Sequence, residues 1–202
     1  MKKMMWLCLL LMTAGAGFGQ ESRQDVSASA SYIWQPSIYG HGVQLNTTKP
    51  IGFLGSYRFM LTPHSALEAN YGYTQTIQKY SIPGTINIVD VHSRQQEVSV
   101  AYVQSFNFRN FNPFAEIGVG TMFFSPIQDY ESTSFDTKRN TNIGGLAGIG
   151  VAYELSPSWD IRAEYRGFII KAPDFKLNAT PSLSTGRYMF LSSPSIGIAY
   201  HF

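Results

Sequence analysis

Strict alternation of side-chain character is the feature that most constrains this chain. Val26, Ala28, Ala30, Tyr32 and Trp34 fall on one face, and Ser27, Ser29 and Ser31 on the other. A period of two is that of a β-strand, whose successive side chains point to opposite sides. Ile51, Phe53, Tyr57 and Phe59 likewise oppose Gly52, Ser56 and Arg58. Leu67, Ala69, Tyr71 and Tyr73 oppose Glu68, Asn70, Gly72 and Thr74, and Val98, Val100 and Tyr102 oppose Glu97, Ser99 and Ala101. Ala115, Ile117, Val119 and Phe123 oppose Glu116, Gly118 and Gly120. Ala147, Ile149, Val151 and Tyr153 oppose Gly148, Gly150 and Glu154. Ile161, Ala163 and Tyr165 oppose Arg162, Glu164 and Arg166. Ile196, Ile198, Tyr200 and Phe202 oppose Ser195, Gly197, Ala199 and His201. The pattern predicts eight strands of about nine to eleven residues, the length that crosses a bilayer when tilted.

The connections alternate as well. Three are short: Thr62-Pro63-His64-Ser65, residues 107–112, and Ser156-Pro157-Ser158-Trp159. Four are long and polar, at about 35–50, 75–94, 124–141 and 168–188. Short turns on the side of both termini and long loops opposite them predict an all-β fold, an eight-stranded antiparallel up-and-down transmembrane β-barrel with its loops outside the cell. Closure removes sheet edges and pairs every backbone polar group, which lipid cannot do. A soluble barrel with its apolar face inward does not account for five glutamates and three arginines on the polar faces. Aromatic residues gather near the strand ends. Tyr32, Trp34, Tyr71, Tyr73, Phe123 and Phe168 are expected toward the loops, and Phe59, Tyr102, Tyr153, Trp159, Tyr200 and Phe202 toward the turns, as two interfacial girdles.

The N-terminus reads as an export signal. Lys2 and Lys3 precede an apolar run over residues 4–12, and small residues follow, with cleavage expected after residue 16 or 19. Residues 1–19 are thus the signal peptide and residues 20–202 the barrel domain. The signal carries the only cysteine, Cys8, so the exported chain has no thiol chemistry. Its two lysines are also the whole charge excess: without them 15 basic side chains become 13, equal to the 13 acidic ones. That balance excludes a nucleic-acid partner. A mean hydropathy of −0.08 is what alternation yields when a lipid-facing half and a polar half average out.

The last eight residues, from Ser195 through Gly197 and Tyr200 to Phe202, resemble the C-terminal assembly signal of outer-membrane barrels. That resemblance implies that the barrel-assembly machinery reads Ser195, Gly197, Tyr200 and Phe202. The stretch from Gly148 to Arg166 resembles the strand–turn–strand unit of the small eight-stranded barrel family, similar to the membrane domain of outer membrane protein A and to outer membrane protein X. It implies a bacterial outer-membrane location, surrounding lipid as a partner, and a monomer.

Chemistry is sparse. Arg58, Glu68, Glu97, Glu116, Glu154, Arg162, Glu164 and Arg166 fall on the lumenal faces. In so narrow a space they are expected to pair as an internal plug, because unpaired charges there are costly. A gated ion path through the same residues is the alternative. His64-Ser65 and His92-Ser93 form no catalytic constellation with a placeable acid, metal-ligand spacing is absent, and no cofactor fingerprint occurs. A lipid-modifying enzyme is therefore the weaker alternative, and the chain is expected to be non-enzymatic, with no catalytic, cofactor-binding or metal site. The loops are the expected contact surface for an extracellular ligand or a host surface, since binding residues concentrate on loops of rigid scaffolds.

Overall fold

A computed structural model describes residues 23–48, 50–84, 88–127, 138–175 and 184–202. The export segment lies outside them. The strands are β1 (Gln24–Tyr32), β2 (Ile38–Gly40), β3 (Val43–Thr47), β4 (Ile51–Thr62), β5 (Ser65–Ser81), β6 (Ile88–Ser105), β7 (Phe111–Pro126), β8 (Asn140–Ser156), β9 (Trp159–Lys171) and β10 (Tyr188–His201). Eight of them, all but β2 and β3, form a closed antiparallel wall in which neighbours in sequence are neighbours in space. The wall closes where β1 meets β10, from Asp25 opposite His201 to Ser31 opposite Ser195.

The alternation decides which way each side chain faces. Ile117 and Ile149 are 67% and 65% exposed on the outside, whereas Glu68 and Arg58 are buried inside. An apolar exterior with a polar interior inverts the soluble pattern and suits hydrocarbon surroundings. Phe59, Tyr102, Tyr153, Trp159, Tyr200 and Phe202 are exposed around the turn end, and Trp159 packs on Tyr200 at 4.9 Å. Tyr32, Trp34 and Tyr71 are exposed toward the loop end, with Tyr73 and Phe123 half-buried there.

Phe168 is a correction to the girdle. It is buried and faces the lumen. Its position follows the parity of Arg162, Glu164 and Arg166, which point inward on the same strand.

The strands also run well past the expected lengths. β5 and β6 pair continuously from Ser65 opposite Gln104 to Ser81 opposite Ile88, so most of the loop expected at 75–94 is sheet. β3 pairs with the far end of β5, from Thr47 opposite Gln78 to Gln44 opposite Ser81, and β2 pairs with β3. The β2–β3 hairpin turns at His41 and Gly42, both at positive φ (50° and 75°), the backbone that a two-residue hairpin turn of matching twist requires. One side of the wall therefore stands above the rest as a four-stranded projection. The remaining loops are shorter than expected, because β7 reaches Pro126, β8 starts at Asn140, β9 reaches Lys171 and β10 starts at Tyr188.

The first-to-last seam has one pause. Pro194, in register with Tyr32, has no N–H to give, while the Ile33 N–H points to the other side, to the Pro50 carbonyl before β4 at 3.0 Å. Pairing resumes where Trp34 and Ser192 exchange two hydrogen bonds of 2.8 Å.

Candidate functional site in the barrel lumen

Two strands deliver the arginines. Arg58 comes from β4, and Arg162 and Arg166 come from β9. Arg58 donates from Nε to Glu68 Oε2 at 2.7 Å. Arg162 donates from Nη2 to both oxygens of Asp25, at 3.1 and 3.2 Å, and its Nη1 lies 3.6 Å from Glu68 Oε2. Arg166 donates from Nη2 to Glu97 Oε1 at 2.6 Å and to Ser99 Oγ at 3.2 Å. Its Nε lies 3.2 Å from Glu116 Oε1 and 3.2 Å from Glu164 Oε1, aligned as a hydrogen bond with neither. Three guanidiniums are thus shared among five carboxylates in a band across the middle of the barrel.

The structure brings together seven of the eight charged residues expected in the lumen. Glu154 is apart from them. It sits half-buried next to the last short turn, opposite Asp160, and makes none of these ion pairs. Asp25 takes a place in the band that sequence reasoning missed, although it shares the face of Ser27 and Ser29. Phe114 was missed too. Its ring lies beneath Arg58 and Arg162, with guanidinium carbons 4.7 and 5.8 Å from the ring centre. That is cation–π geometry, and it floors the band with a surface that is apolar yet attractive to cations. Gly148, paired with Glu116 on the adjoining strand β8, makes room for that carboxylate, since a Cβ there would lie 2.9 Å from Glu116 Cγ.

Below the band is a polar vestibule of about 150 Å³, lined by Asp25, Asn107, Asn112, Asp160, Arg162 and His201 among others. His201 Nε2 and Asp160 Oδ2 are 2.8 Å apart at its edge. Above the band, a void of about 20 Å³ among Leu54, Thr74, Gln95 and Met122 is room for about one water molecule.

Above that void the character of the lumen changes. Leu45, Tyr80, Val91, Phe124, Ile170 and Phe175 are buried in one apolar cluster that fills the outer mouth. Phe175 is its centre, meeting the rings of Tyr80 and Phe124 edge-on at 6.4 Å each. The Tyr80 hydroxyl donates to the Pro173 carbonyl at 2.8 Å, tying the projecting wall to the connection between β9 and β10. This part stands beyond the apolar exterior band. Burial pushes the Tyr80 hydroxyl up from its ordinary pKa, and the Asp174 carboxylate pushes it further, so it remains a neutral donor.

The residues expected to form the assembly signal lie on β10. Ser195 and Gly197 face inward, with Gly197 pressed against Ala28 and Ser29 of β1, while Tyr200 and Phe202 face outward. The Phe202 N–H donates to the Gln24 carbonyl at 3.0 Å. The histidines stay dispersed. His92 and Ser93 are successive strand residues on opposite faces, and His64 stands exposed in the first short turn.

A closed eight-stranded antiparallel wall, apolar outside and ion-paired within, defines a small barrel of the bacterial outer membrane. The chain belongs to the outer membrane protein beta-barrel domain family, whose model matches residues 5–202. No curated protein matches it. Among solved structures, Neisserial surface protein A is similar at a TM-score of 0.60 and 16% identity, over 90% of this chain and 98% of that one. OprG from Pseudomonas aeruginosa gives 0.61 and 12%, over 91% and 98%. AlkL, determined in lipid bilayers, gives 0.50 and 18%, over 93% of each. At such identities the likeness is one of fold.

Proposed function

We propose that this protein is a closed, non-enzymatic outer-membrane barrel whose working part is its extracellular surface, serving surface interaction or envelope integrity. The apolar plug at the mouth carries this reading. An aqueous path would have to cross a cluster of fully buried side chains and then a band of ion-paired arginines, and apolar space of that kind stays dry. Meanwhile the chain invests in a wall that rises above the membrane on β2, β3, β5 and β6, presenting Tyr39, Gln44, Asn46 and Lys79. Rigid scaffolds with exposed loops are where recognition concentrates. The same reading makes Ser195, Gly197, Tyr200 and Phe202 the signal for the assembly machinery, and makes the working form a monomer in lipid.

The test replaces residues 37–47, which hold the β2–β3 hairpin, by a two-residue turn and compares cells for adherence to host-cell monolayers and for detergent sensitivity. Loss of adherence or of detergent resistance, with heat-modifiable gel migration retained, is the expected result. Unchanged behaviour in both assays overturns the reading.

A further inference from the structure

The outside of the wall is not uniform. Across β7 to β10 it is cut by a groove of about 490 Å³. Its floor is Gly145, Ala147 and Gly167, and Ile149, Ile169 and Phe190 stand along it. Elsewhere the same outward positions carry bulk, such as Phe53, Tyr57 and Tyr71 on β4 and β5. The groove opens into the hydrocarbon of the membrane, where it holds neither water nor a polar group without penalty. Its occupant must be hydrocarbon.

The ends of the same strands carry positive charge. Lys171 follows Ile169 on the outward face of β9 and is opposite Tyr188. Arg139 immediately precedes β8, beside Lys138, and the Lys171 carbonyl accepts from Asn142 Nδ2 at 3.0 Å, joining the two strand ends. All three cations are exposed, and none forms an ion pair among the described residues. On the far wall, by contrast, Lys79 is matched by Asp90 at 3.5 Å. Unpaired cations at headgroup level directly above an apolar groove fit a molecule with an anionic head and an acyl tail. Arginine and lysine both suit phosphate, the first through its fork of donors and the second as a point charge.

We propose that this face is a binding site for one phosphorylated lipid of the outer leaflet, with an acyl chain in the Gly145–Gly167 groove and a phosphate on Lys171 and Arg139. Two variants separate the parts of the site. Gly145→Leu fills the groove, and a Cβ at Gly145 meets nothing within 4 Å, so the wall accommodates it. Lys171→Glu with Arg139→Glu reverses the charges at exposed positions, and it carries the test should the leucine variant not fold. Arg94→Glu, on the outward face of β6, is the control.

The experiment is native mass spectrometry of the full-length protein in detergent, titrated with bisphosphorylated lipid A, with the same lipid stripped of phosphate, and with inorganic phosphate. Folding of each variant is checked by heat-modifiable migration. One bound bisphosphorylated lipid A is expected, with about tenfold weaker binding of the stripped lipid and of the charge-reversed variant. Gly145→Leu is expected to weaken it as well, inorganic phosphate to bind far less, and Arg94→Glu to match the wild type. Equal binding of the stripped lipid, an unaffected charge-reversed variant, or equal weakening by Arg94→Glu overturns the proposal.

Discussion

The lumen is filled in two ways, and the contrast explains more than either half. Across the middle, Arg58, Arg162 and Arg166 fill space with ion pairs to Asp25, Glu68, Glu97, Glu116 and Glu164. At the outer mouth, Tyr80, Phe124, Ile170 and Phe175 fill it with apolar packing. In the ionic band, charge desolvation is offset only while every partner stays in place. The apolar plug loses transfer energy and packing in proportion to what is removed. The first is therefore brittle and the second is graded.

Arg162→Ala is expected to have the largest effect. It strands Asp25 and weakens the hold on Glu68, and breaking a buried pair in this way costs about 3–5 kcal/mol. The readout is the temperature at which the folded gel band disappears, and an unchanged temperature breaks the contrast. Phe175→Ala comes next, at about 3 kcal/mol, the low end for a phenylalanine deleted from a core. Its loss should be local: amide exchange speeds up at Val91 and Ile170 while the barrel keeps its melting temperature. If instead the whole barrel melts early, mouth and band form one unit.

Replacing Arg58 by Met together with Glu68 by Leu sharpens the comparison in the opposite sense. Removing both partners should leave stability unchanged or raise it by about 1–2 kcal/mol, since a buried pair seldom outperforms good apolar packing. A loss as large as that of Arg162→Ala would mean that the band acts as one network. Tyr80→Phe removes a single hydrogen bond to Pro173 and should cost about 1 kcal/mol, seen as faster exchange in the mouth alone. Lys79→Ala, which removes the partly exposed pair with Asp90, should cost less than about 1 kcal/mol in the same assay.

The barrel was legible in the sequence because the lipid-facing and lumenal positions differ so sharply in polarity. That signal fades where both faces are polar. Over Gln75, Gln78 and Lys79 on β5 and Arg94, Gln95 and Gln96 on β6, alternation carries no contrast, so these strand extensions read as loop. The β2–β3 hairpin is short, and only the positive-φ turn at His41 and Gly42 marks it. The charged band was visible by parity, but Asp25 was lost because the apolar alternation starts one residue later, at Val26. Glu154 has the right parity and the wrong height, and height along a tilted strand is a matter of register that one sequence does not encode. Phe168 was misplaced for the converse reason: an aromatic near a strand end suggested a girdle, whereas its parity assigned it to the lumen. The apolar plug escaped notice because Leu45, Tyr80, Phe124 and Phe175 come from segments that are distant in sequence and meet only when the barrel closes.

The central claim is that the two fillings together close the lumen. Planar-bilayer recording of the purified wild-type protein addresses it directly. The structure predicts no discrete conductance steps. A steady ion current that changes on Glu116→Gln would place a conducting path through the ionic band and contradict the account.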